Sequence, residues 1–212
     1  MIREILHKLM FTGTAVGLCS LCVFAPKTWA MTPDMVAKLT AGESIVSVKP
    51  SQSPADGEVR ATIDVPAPAP VIYGALTECE RAPEVFPSVK SCRVLELGPG
   101  ATWDVRTHTI ASWASFLPDM SIVFRSNYTK NVHITFKLVS GDLEYLEGEW
   151  VLEPLPDTAV TRVYYRASVG FHPLIPAFLV RQSLQKDVPR FLASIKEEAV
   201  RRVANGLTGS PP

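Results

Sequence analysis

The chain has 212 residues, with 21 Lys and Arg balancing 21 Asp and Glu, and it is 47% hydrophobic and 20% charged. That length can bury one domain's core, the apolar fraction excludes wholesale disorder, and the zero net charge offers no basic face for nucleic acid. Four Cys are too few for a disulfide scaffold. In chain order, residues 1–30 read as a signal peptide. Arg3 and Lys8 precede an apolar run from Leu9 to Ala25, and Thr28 and Ala30 are small residues before a cleavage point after Ala30. The run is broken by Gly13, Gly17 and Ser20, so it suits an export signal better than a membrane anchor. Its CxxC, Cys19 and Cys22, lacks the flanking strand and helix of a redox motif. Removing this segment leaves a slightly acidic, exported chain, expected in a bacterial periplasm. Its remaining thiols, Cys79 and Cys92, can pair in an oxidising compartment or pack as two separate buried thiols.

Residues 31–57 form an N-terminal extension. Thr32-Pro33-Asp34 opens a helix through Leu39 that stops at Gly42, and Ile45–Val48 reads as a strand beside Val59–Val65. Residues 58–205 form the main domain, and 206–212 a flexible tail. Val59, Ala61, Ile63 and Val65 alternate with polar residues, the period of a half-buried strand. Pro70 leads into a helix from Val71 to Glu78, and a second short helical turn covers Pro83–Phe86. Strands follow at Lys90–Leu97, Thr102–Ala111, Ile122–Tyr128, Val132–Leu138, Leu143–Glu153 and Val163–Phe171. Their short connections imply antiparallel neighbours, and one face is apolar throughout. The last element supplies a cover. Leu184, Val188, Phe191, Ile195, Ala199 and Val203 recur at helical steps, Pro189 is expected to kink the helix, and Asn205-Gly206 ends it. The class is α+β.

Four segments carry a resemblance. Val65-Pro66-Ala67-Pro68 is similar to a strand-to-helix entry, and Pro83 to Glu96 to a second helix and second strand, of the START-like superfamily of polyketide cyclases and lipid carriers. Glu147-Gly148-Glu149-Trp150-Val151-Leu152-Glu153-Pro154 resembles its sixth strand. Pro176 to Arg181, followed by Lys186-Asp187-Val188-Pro189, is like the start of its C-terminal helix. The nearest branch is the bacterial coenzyme-Q-binding, polyketide-cyclase-like group, and the likeness spans about Val59 to Val200. It implies a helix-grip fold: a curved antiparallel sheet of about seven strands wrapped around a long C-terminal helix. It also implies a cavity between sheet and helix, with Ile134, Phe136, Trp150, Leu152, Tyr165, Val169, Leu184, Val188, Phe191 and Ile195 as wall residues. Such walls suit a lipid, quinone or polyketide-like molecule.

No catalytic constellation accompanies this pattern. HExxH, GxSxG and paired CxxC motifs are absent from the sequence, and neither a metal nor a cofactor is expected. His133 falls on the polar face of its strand. His108 and Asp104 share a face but lie too far apart for a direct bond, and Ser112 and Ser115 near Trp113 lack a base. The expected function is carriage of a hydrophobic small molecule without chemistry, with transient membrane-surface contact through basic residues of the last helix as a further possibility. The alternative is a cyclase or dehydratase using His108, Tyr128, Tyr165 or His172 in the same cavity. It requires an ionisable group that points inward.

Overall fold

The computed structural model describes residues 31–51, 56–111, 118–172 and 175–206. The expected signal peptide, the tail after Gly206, and Ser112, Trp113 and Ser115 lie outside the described residues. Helix α1 (Pro33–Thr40) begins where Thr32 accepts a hydrogen bond from the Met35 N–H through its side chain, and the chain leaves it through Gly42 at φ 86°. Strands β1 (Ile45–Pro50) and β2 (Gly57–Val65) follow, then helix α2 (Ala69–Thr77), which Pro70 starts in its first turn. A turn of 3₁₀-helix (Cys79–Arg81) runs into the short α3 (Ala82–Val85). The meander is β3 (Val89–Leu97), β4 (Trp103–Ile110), β5 (Met120–Thr129), β6 (His133–Gly141), β7 (Tyr145–Pro154) and β8 (Thr161–Gly170). Helix α4 (Ala177–Ala204) closes the chain and runs through Pro189 as one element of 28 residues.

All eight strands form one antiparallel sheet in the order β1-β2-β8-β7-β6-β5-β4-β3. The main domain contributes seven of them, as expected, and the eighth is the N-terminal extension's β1, which lies beside β2 as the sequence suggested and pairs with residues 57–62. With α4 lying against this sheet, the arrangement is the helix-grip plan. The alternation read in the sequence decides the faces. Register places Ala61 opposite Tyr165, Tyr165 opposite Trp150, Trp150 opposite Ile134, and Phe136 opposite both Gly148 and Ser126, all on the inner face. On the outer face, His133 bonds Glu149 at 2.8 Å.

The helical stripe departs from expectation at its end. Val188, Leu192, Ile195 and Ala199 are buried, but Val203 is exposed and Arg202 takes the inward position. The reason is a charge network. Arg202 donates to both oxygens of Glu78, at 2.7 and 2.8 Å, and to Glu198 at 2.6 Å. Arg81 bridges Glu198 and Glu84, and Arg201 also pairs with Glu198. A buried charge persists only when paired, so this network fixes the C-terminal half of α4 to the turn before α3.

Candidate functional site

A cavity of about 230 Å³ lies between the inner face of the sheet and the elements that cover it. Its apolar half comes from Ile134, Phe136, Trp150 and Tyr165 on neighbouring strands, and from Phe191 on α4. Their rings touch in succession. Trp150 and Tyr165 have centroids 4.3 Å apart, Tyr165 and Phe191 5.2 Å, and Phe136 stacks on Tyr165 at 6.3 Å. Phe86, next to α3, closes the circuit against Phe191 at 6.4 Å. Gly148 makes room for this wall: a Cβ there would collide with the Phe136 ring and the Arg166 carbonyl. Five of the ten residues expected in the wall therefore line the cavity. The other five are placed in the packing around it: Leu152, Val169, Val188 and Ile195 are buried in the core, and Leu184 packs half-buried against it. They contribute to the fold by close packing rather than by facing the space.

The opposite half is polar: His108 and Tyr128, considered above only for the enzyme alternative, are joined there by Arg106 and Ser126. Strand β4 turns Asp104, Arg106 and His108 inward at alternate positions, and all three are buried. Arg106 is the hub of this end. Its Nε donates to both Asp104 oxygens at 3.1 Å, and its Nη2 bonds Asp104, the Tyr128 hydroxyl at 2.6 Å and the Thr77 carbonyl at 3.0 Å. That carbonyl belongs to the last turn of α2, where backbone oxygens lack helical partners. Arg106, His108, Ser126 and Tyr128 all border the cavity.

Burial governs the chemistry of this polar end. It pushes His108 down to about 4, with the positive charge of Arg106 adding to the effect, so the imidazole is neutral at neutral pH. His108 stands edge-on to Phe124 at 4.8 Å, and its Nε2 has no hydrogen-bond partner among the described residues. Burial also raises the Tyr128 and Tyr165 phenols well above their ordinary value. Of the four groups considered for chemistry, His108, Tyr128 and Tyr165 face the cavity, while His172 is exposed. Among the described residues no group of three or more His, Cys, Asp and Glu is placed to hold a metal ion.

A disulfide joins Cys79 to Cys92, with Cα atoms 5.3 Å apart. Cys92 lies directly opposite His108 in the β3–β4 register, so the bridge ties the segment carrying Phe86, Ser88 and Val89 to the strand beside the polar end.

The family model for polyketide cyclase/dehydrase and lipid transport matches residues 65–196, which include every residue lining the cavity. No curated protein sequence matches the chain. Solved structures share its fold. A START superfamily protein from Mycobacterium smegmatis is 17% identical with a TM-score of 0.61, covering 68% of this chain and 97% of that one. The Zhui aromatase/cyclase from Streptomyces sp. R1128 is 20% identical with a TM-score of 0.56, covering 69% and 94%. A STAR-related lipid transfer protein from Xanthomonas axonopodis is 16% identical with a TM-score of 0.61, covering 74% and 93%.

Proposed function

We propose, from the premise that this chain belongs to the polyketide cyclase/dehydrase and lipid transport family, that it is an exported carrier of a hydrophobic ligand. The ligand, a lipid, quinone or polyketide-like molecule, is held between the sheet and its covering helices without chemistry. The observation that carries this reading is the aromatic-walled cavity of about 230 Å³ with one polar end, the composition of a site for a greasy molecule with a polar handle. Export rests on the layout of residues 1–30, and the Cys79–Cys92 bridge suits an oxidising compartment. Membrane contact is no part of the proposal. Several basic residues of α4 are engaged within the molecule: Arg190 with Asp187, Lys196 with the Gly42 carbonyl, and Arg201 and Arg202 with Glu198.

The test is to purify the exported protein, extract it with organic solvent and identify what is released by mass spectrometry. A hydrophobic compound in near-equal amount to the protein is expected. An empty protein that also binds no quinone, phenol or lipid would sink the carrier reading. A cyclase or dehydratase is the second reading, favoured by the inward His108 with Arg106 and Tyr128 beside it. Incubation with a poly-β-ketone substrate decides between them: a ring-closed, dehydrated product formed faster or with a different ring pattern than in a protein-free control requires the enzyme, and a rate and product pattern equal to that control the carrier.

A further inference from the structure

The charges at the polar end of the cavity cancel within it. Asp104 and Arg106 are only 3% and 5% exposed and hold each other through Nε and Nη2. The other partners of Arg106 Nη2 are neutral oxygens, the Tyr128 hydroxyl and the Thr77 carbonyl. Tyr128 and His108 themselves are uncharged near neutral pH. A ligand carboxylate entering here would find Arg106 already paired and would bury a charge with no counter-ion of its own, which is unfavourable in a protein interior. Hydrogen bonding is not balanced in the same way. His108 is 9% exposed and its Nε2 lacks a partner among the described residues, so it can hydrogen-bond a ligand hydroxyl or carbonyl oxygen. Size adds a third constraint. At about 230 Å³ the space falls below the ~300–1,000 Å³ of typical drug-sized sites, so it suits one or two fused rings and not an intact diacyl lipid.

We infer that the cavity selects uncharged molecules of one or two rings that present a hydroxyl or carbonyl oxygen to His108, and rejects their carboxylate analogues. This inference rests on the reading that the cavity binds a hydrophobic ligand. The probes are 2-naphthol, 2-naphthoate and naphthalene, which share one ring system and differ at the polar end. Each is titrated into the protein at neutral pH by calorimetry. Naphthol is expected to bind at least about tenfold more tightly than naphthoate. His108→Phe is expected to weaken naphthol several-fold relative to naphthalene, so that the two bind about equally. Asp104→Asn, which strips Arg106 of its counter-charge, is expected to narrow or reverse the preference. Naphthoate binding as tightly as naphthol overturns the inference and leaves the cavity reading intact. A folded Asp104→Asn protein with unaltered preference also overturns it. If none of the three probes binds, the inference fails, and the solvent extraction described above decides the carrier reading separately.

Discussion

At the scale of single residues, His108 sets a measurable pH dependence. In the unfolded chain it titrates near its ordinary 6.5, whereas in the folded protein burial and the Arg106 charge lower this to about 4. Between those values the unfolded state takes up a proton that the folded state refuses, so stability is complete above about pH 6.5 and declines as pH falls toward 4. The charged groups on its own face are Arg106 and Asp104, and Tyr128 borders the same cavity; Asp104 is already committed to Arg106 and offers the imidazolium no free counter-ion. The gap from 6.5 to about 4 corresponds to roughly 3 kcal/mol. Urea unfolding at successive pH values through this window is expected to show that loss in the wild type. In His108→Phe the decline should be shallower by most of that amount. Equal slopes would mean that His108 is accommodated as a cation in the folded protein.

At the scale of elements, β3 is the outer strand of the meander and pairs on one side only. It is a sheet edge, Val94, Leu95 and Leu97 are exposed, and its register with β4 shifts twice. The Cys79–Cys92 bridge is its covalent tie to the segment before α3. Replacing both Cys with Ser is expected to cost about 3 kcal/mol and to speed amide exchange in α3 and β3 while α4 stays protected. An unchanged exchange pattern would assign the stability of β3 to its ladder alone. The same strand marks a limit of the sequence. Lys90–Leu97 reads as one strand of the series, and only the sheet order reveals that, among the described residues, no strand pairs with its outer edge. Elsewhere the period-2 pattern located the strands to within a few residues, since one face of each meets the core. The aromatic half of the cavity was legible for the same reason. Its polar half was legible only in part: His108 and Tyr128 were candidates, but Asp104-Val105-Arg106-Thr107-His108 has the polar alternation of a solvated strand, and the Asp104–Arg106 pair is buried because opposite charges neutralise each other. The available signal was acid, base and imidazole at i, i+2 and i+4 on one face. Arg202 was missed for a parallel reason: at the end of α4 a paired guanidinium displaced Val203 from the inward position.

At the scale of the whole molecule, the cavity and the core share their walls. Phe136 and Trp150 belong at once to the buried cluster under α4 and to the lining of the space, and Tyr165 and Phe191 pack against that cluster. Unfolding therefore destroys the cavity completely, and a ligand that enters it binds the folded state alone. Such a ligand stabilises the fold by mass action, about 2.7 kcal/mol at a hundredfold excess over its Kd. For a domain of this size each kcal/mol raises Tm by roughly 2–4 °C, so saturation with a neutral ring ligand such as 2-naphthol is expected to raise Tm by about 5–10 °C. Location is checked by filling the space. Ile134 lines the cavity and lies opposite Trp150, and Ile134→Phe places a larger side chain there at an overpacking cost of about 1–3 kcal/mol. The variant is expected to melt lower without ligand and to lose most of the ligand-induced rise. A rise retained in Ile134→Phe would put the ligand elsewhere on the molecule, because a site outside the cavity would not respond to its filling.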